Sequence, residues 1–208
     1  MGKPAVGILM GSDSDLPIMQ EAAAMLQEFG VEYEMTIASA HRTPKKVHEY
    51  SQSAERRGLK VIIAGAGWAA HLAGVVASQT TLPVIGVPID SSPLKGIDAL
   101  LSVAQMPGGV PVATMSLGKA GAKNAGVFAA QIIAVGDVKV ANRLKVFKVE
   151  MERDVEEKAK RLVAISAAAV VPPREMVAAE GPPAKKKSRR RRWKKKPGGS
   201  APAQGPAL

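Results

Sequence analysis

Apolar and polar positions along the chain follow two alternating periods. Short apolar or β-branched runs occur at Ala5–Met10, Tyr33–Ser39, Lys60–Ala64, Pro83–Pro88 and Pro111–Met115. Each has the length of a strand. Between them lie segments with helical spacing. In Leu16–Phe29 the apolar residues fall at Leu16, Met19, Ala22, Ala23, Leu26 and Phe29, three or four apart, and Gly30 follows as a stop signal. Thr43 and Pro44 form an N-cap and first-turn pair for a helix running to Arg57, which Gly58 closes. Shorter helices are predicted at Ala69–Ser78 and Ile97–Gln105, a longer one at Ala122–Val135, and a last one, charged through its middle, at Asp137–Ile165.

Strands alternating with helices through short loops predict an α/β fold, with a parallel sheet covered by helices on both faces. Five strands fit a flavodoxin-like three-layer αβα sandwich, carrying an extra C-terminal helix that reaches toward a neighbouring subunit. In such folds ligands bind beyond the carboxyl ends of the strands. The expected division is one domain at 1–170 and a disordered basic tail at 171–208, where Pro, Ala, Gly and a basic block replace the periodic pattern.

Composition narrows the chemistry. The chain has no cysteine, which removes a disulfide framework, a thiolate nucleophile, an iron–sulfur cluster and any zinc site using Cys. Aromatic residues make up 3% of the chain, so the core must be built from Val, Ile, Leu, Ala and Met. No apolar run approaches the ~20 residues that span a bilayer. The start, MGKPAVGILMGSDSD, lacks a signal-peptide layout, so the expected address is cytoplasmic. The net charge of +11 is unevenly placed: from Val171 onward 11 Lys+Arg face 2 Asp+Glu, which leaves +2 for the first 170 residues. Lys185–Lys196 carries ten positive charges in twelve residues, with Trp193 among them. Such a block fits salt-dependent binding of nucleic acid or another polyanion, a targeting signal, or a merely solvated extension.

The unusual residues follow the strands. Gly11-Ser12-Asp13-Ser14-Asp15 ends the first strand and opens a helix. The Ser hydroxyls and free helix N–H groups can hold a phosphate, and Asp15 can accept hydrogen bonds from ribose. A turn with an N-cap would explain part of the pattern, but these side chains exceed what one cap needs. Ser39-Ala40-His41-Arg42-Thr43-Pro44 ends the second strand. There His41 is placed for proton transfer beside an anion and Arg42 can grip a phosphate, or the pair is a loop His and a surface ion-pairing Arg. The third strand enters Gly65-Ala66-Gly67-Trp68-Ala69-Ala70-His71-Leu72-Ala73-Gly74, whose small residues permit close approach to a ligand. His71 reads as structural, bonded to a neighbouring loop, and Trp68 is the one large side chain in the run. His48 reads as a solvated or partner-facing helix residue. The three His residues show no zinc-binding layout, and neither a GxxxxGK[ST] loop nor a GxGxxG fingerprint is present.

Together, Gly11–Asp15, Ser39–Pro44, Gly65–Gly74, Pro83–Pro88 and Gln105-Met106-Pro107 resemble, in order and spacing, the class I N5-carboxyaminoimidazole ribonucleotide mutases of purine biosynthesis, the phosphoribosylaminoimidazole carboxylase catalytic-subunit family. The resemblance covers roughly residues 4–160. Arg42-Thr43-Pro44 and Ala69–Leu72 are like class I rather than the class II enzymes that use carbon dioxide directly. The resemblance implies migration of a carboxylate from an exocyclic amine to a ring carbon of an aminoimidazole ribonucleotide. It implies no cofactor and no metal, and a homo-octamer with sites at subunit contacts. It casts His41 as general acid/base. Ser12 and Arg42 would bind phosphate and Asp15 ribose, and Ser14 and Ser39 join the substrate-binding set. Gly65, Ala66, Gly67, His71 and Leu72 would wall a carbon dioxide pocket. Two residues depart from the family pattern, which has Gly where Trp68 stands and Pro where Ala73 stands. The departures leave two alternatives open: a catalytically impaired oligomeric scaffold whose tail binds nucleic acid, and a related carboxylase with Trp68 stacking on a different base.

Overall fold

The computed structural model describes residues 2–168. The chain divides into two compact units, Met1–Val163 and Ala164–Leu208. Of the second, the described residues 164–168 are helical. The tail expected at 171–208 lies outside the described residues.

The first unit alternates β1 (Val6–Met10), α1 (Leu16–Glu28), β2 (Tyr33–Ile37), α2 (Pro44–Arg57), β3 (Val61–Gly67), α3 (Leu72–Ala77), β4 (Val84–Ile89), α4 (Ile97–Ala104), β5 (Ala113–Thr114) and α5 (Gly118–Ala134), and α6 (Val138–Ala168) follows. The strands form one sheet in the order β2-β1-β3-β4-β5. Every neighbouring pair is parallel, with Val6 opposite both Tyr33 and Val61, Ile62 opposite Val84, and Ile85 opposite Ala113. This is the flavodoxin-like order, and its reversal at β1/β3 marks the place where ligands bind.

The central strands are buried on both faces, so successive residues enter different cores. Ile8 and Ile63 pack with Met19 and Leu26 of α1 and Ala122, Ala125 and Ala129 of α5. Leu9 and Ile62 pack with Val47 and Ala54 of α2, Leu72 and Val76 of α3, and Ala99 and Val103 of α4. Helices therefore cover both faces of the sheet. α1 and α5 approach closely because Gly126 lacks a Cβ, which would sit 2.6 Å from the Ala22 carbonyl oxygen. α6 starts on the Asp137 carboxylate, which accepts from the N–H groups of Lys139 (2.8 Å) and Val140 (3.2 Å). Val140 is buried in the α1/α5 core, with Leu144 and Phe147 packed against it. Phe147 meets Phe29 edge to face at 5.2 Å, and Arg143 donates to the Phe29 carbonyl at 2.6 Å. Among the described residues no helix is long and apolar enough to cross a membrane.

Several boundaries differ from the sequence pattern. β3 runs on to Gly67, because Gly65, Ala66 and Gly67 pair with Val87, Pro88 and Ile89. β5 shrinks to two residues, since Pro111 has no N–H to give to a ladder. α3 begins only at Leu72, leaving Ala69–His71 as loop. α5 begins earlier, at Gly118. Gly118 takes φ 65°, a left-handed turn into the helix, and Gly121 lies where a Cβ would strike the Ser116 carbonyl, so the first serves backbone conformation and the second close packing.

Candidate active site

The loops after β1, β2, β3 and β4 converge on one cleft of about 580 Å³ at the carboxyl end of the sheet. Ser12, Ser14, Asp15, Ser39, His41, Arg42, Ala66, Gly67, His71 and Leu72 all line it, as do Trp68, Ala69 and Ser91. Gly65 does not. It is buried in β3, where a Cβ would press on the Met19 sulfur at 2.3 Å. Its smallness serves the core beneath the cleft and not a ligand. Ala73 is also away from the cleft, 1% exposed within α3. Ser91, after β4, has no motif around it in the sequence. Only its position at a strand's carboxyl end could have pointed to it.

The β1 loop is a single capped turn. The Ser12 N–H donates to Asp15 Oδ2 at 3.0 Å, and Ser12 Oγ accepts from the Ser14 N–H at 3.4 Å, a capping box around Asp13–Asp15. Ser12 Oγ also donates to Asp13 Oδ1 at 2.9 Å, and this bond holds the exposed Asp13 carboxyl below its usual range. Asp15 is 5% exposed, so its cap is made inside the wall of the cleft. Burial pushes its carboxyl above the ordinary 3.8, against the pull of the Ser12 and Gly11 N–H groups and the Arg42 charge. A raised acid binds its proton more tightly folded than unfolded. Its contribution to stability is present in full below pH 3.8 and is lost as pH rises through the folded value. Asp15→Asn is therefore expected to remove a stability component that falls with rising pH in this acid range. Thermal melts of both chains from below pH 3.8 up to neutrality check it, and parallel curves would refute it.

The β2 loop is held by a diverted cap. Thr43 sits at the N-cap of α2, but its side chain does not bond the helix. Thr43 Oγ1 accepts from the Ser39 N–H at 2.9 Å and donates to the Ser39 carbonyl at 3.1 Å. Ser39 Oγ in turn accepts from the Arg42 N–H at 3.2 Å. This ring of bonds closes the loop around His41 without using the imidazole. Arg42 Nη2 donates to the Gly11 carbonyl at 2.9 Å and so ties the β1 and β2 loops together. His41 Nε2 lies 2.8 Å from His71 Nδ1, with one proton between them, and the rings meet at 4.9 Å between centroids and 72° between planes. His71 is thus bonded to a neighbouring loop, and that loop carries His41. His48 lies elsewhere on α2, its Nδ1 2.5 Å from Gln79 Oε1. Among the described residues no three His, Cys, Asp or Glu side chains cluster to hold a metal ion.

The β3 loop carries backbone strain. Trp68 takes φ 54°, a left-handed conformation, with 59% of its surface exposed. For a residue with a Cβ this costs roughly 1–2 kcal/mol. Little apolar burial offsets the cost at that exposure, so Trp68→Gly is expected to stabilise the fold by about 1 kcal/mol. Urea unfolding of both chains measures this. A stability loss in the variant would show that the indole's packing outweighs the strain.

The chain matches the family model described as AIR carboxylase over residues 5–154. The N5-carboxyaminoimidazole ribonucleotide mutase of Thermotoga maritima is 58% identical over 162 residues, covering 78% of this chain and 94% of that protein. The Bacillus subtilis protein of the same name is 54% identical over 161 residues, covering 77% and 99%. The crystal structure of Treponema denticola PurE aligns with TM-score 0.69 at 31% identity, covering 76% of this chain and 98% of that one. With the family model spanning most of the first unit and relatives more than half identical over nearly their whole length, the chain belongs to the AIR carboxylase family.

Proposed function

We propose that this chain interconverts N5-carboxyaminoimidazole ribonucleotide and 4-carboxy-5-aminoimidazole ribonucleotide in purine biosynthesis. The observation that carries the reading is the bonded His41–His71 pair set beside Arg42 and Ser12 in one cleft, within a chain 58% identical to a mutase. The reaction needs a proton donor and acceptor at one point. His41 as imidazolium gives its proton to the exocyclic nitrogen while the N–C bond to the carboxylate breaks, which frees carbon dioxide. The ring carbon then attacks that carbon dioxide, a C–C bond forms, and the proton displaced from the ring carbon returns to neutral His41. The hydrogen bond to His71 orients the imidazole through the cycle.

Ser12 and Arg42 are assigned to the phosphate, Asp15 to the ribose, and Ser14 and Ser39 to the remainder of the nucleotide. Ala66, Gly67, His71 and Leu72 form the wall that retains carbon dioxide, with Gly65 behind it. The unit acts as a homo-octamer in the cytoplasm. Outward apolar residues of α6 support assembly: Val146, Val149 and Val155 are 56%, 63% and 65% exposed. An apolar cleft lined by Leu82, Pro83, Val84, Phe128 and Ile132 supports it further. The basic block at 185–196 supports salt-dependent contact with nucleic acid or another polyanion. The mutase reading is tested by following imidazole absorbance as purified protein acts on N5-carboxyaminoimidazole ribonucleotide without ATP and with chelator present. Product formation is the expected result, and a well-folded protein that forms none refutes the reading.

A further inference from the structure

Trp68 is the largest side chain of the cleft to which the proposed mechanism gives no role. It lines the cleft, and its exposure leaves the indole largely free of protein contacts. It is held in place by its neighbours. Before it, Gly67 packs so closely on the β4 loop that a Cβ would lie 1.9 Å from Ser91 Oγ. After it, Ala70 is buried. Strain fixed from both sides in a ligand-facing loop is a mark of function. Among the described residues lining the cleft, the only other rings belong to His41 and His71, which are engaged with each other. The indole is therefore the free aromatic face available there.

We propose that Trp68 is a specificity-determining residue whose indole stacks on the heteroaromatic base of the bound nucleotide; this rests on the mutase reading above. Ser12 and Arg42, assigned above to the phosphate, line the same cleft as His41, His71 and Trp68, and Trp68 precedes His71 by three residues on the same loop. Aromatic faces hold planar bases through stacking, which adds affinity without adding a reacting group.

The test uses the full chain. Trp68→Gly should raise KM on the order of tenfold with kcat unchanged, and Trp68→Phe should restore most of the loss, because a smaller ring still stacks. In a Trp193→Phe background the remaining indole emission should change on adding 5-aminoimidazole ribonucleotide and stay unchanged with ribose 5-phosphate, which has no base. A KM unchanged or lowered in Trp68→Gly overturns the proposal. So does emission that ignores the ribonucleotide or answers ribose 5-phosphate equally. If the unsubstituted chain shows no turnover, the mutase reading fails and the emission titration alone decides the stacking.

Discussion

His41→Asn is expected to lower turnover on N5-carboxyaminoimidazole ribonucleotide by about 10²–10⁴-fold, the range that a positioned acid/base supplies. The loop around His41 should survive the change. It is closed by Thr43 Oγ1 on the Ser39 backbone and by Ser39 Oγ on the Arg42 N–H, and none of these bonds involves the imidazole. Asparagine ends short of the Nε2 position that meets His71, and it cannot take up and release a proton near neutral pH. The thermal midpoint and far-ultraviolet dichroism of the variant should therefore match the parent. Activity within about tenfold of the parent would move the acid/base role to another group, and His71, 2.8 Å away, would be next in line.

Phe29→Ala is expected to cost about 3–5 kcal/mol of folding stability. Phe, Tyr and Trp make up 3% of the chain, so each buried ring is a large share of the aromatic volume in its core. Phe29 is 1% exposed, stands at the end of α1 and meets Phe147 of α6 at 89° between ring planes. The truncation opens a void at this junction and removes an aromatic pair as well as apolar area. The bond from Arg143 to the Phe29 carbonyl does not depend on the side chain and should remain. Urea unfolding measures the loss. A cost below about 1.5 kcal/mol would mean that α6 relaxes into the space and does not depend on the ring.

The fold was legible in the sequence because a parallel sheet imposes two periods that do not imitate each other. The strand at Val6–Met10 is uninterruptedly apolar and the helix after it repeats every three or four residues. The cleft was legible because its polar residues sit together at strand ends, as with Ser39–Arg42. What misled was smallness. Glycine marks a place where something comes close but does not say what. At Gly65 the neighbour is Met19, at Gly67 it is Ser91, and at Gly121 it is the Ser116 carbonyl. The run Gly65–Leu72 reads as one pocket wall, yet Gly65 faces core, as does Ala73 just past it. Thr43 shows a related limit, since its pattern announces a helix cap and its hydroxyl is spent on the loop before it. Ser91 carries no local signal, because its place in the cleft depends on β4 lying beside β3.

The position of β1 also sets a problem of timing. It is made before β2 and β3 and becomes the buried neighbour of both. Its first partner, beginning at Tyr33, does not exist until the whole of α1 has been synthesised, and its second begins at Val61. No hairpin can shelter it meanwhile, since every pairing in the sheet is parallel and must wait for a crossover. The segment Val-Gly-Ile-Leu-Met thus emerges as an unpaired apolar edge, the kind of stretch that aggregates or recruits chaperones. A strand buried along its whole length in the finished molecule is the one left unpaired longest while the sheet is being made.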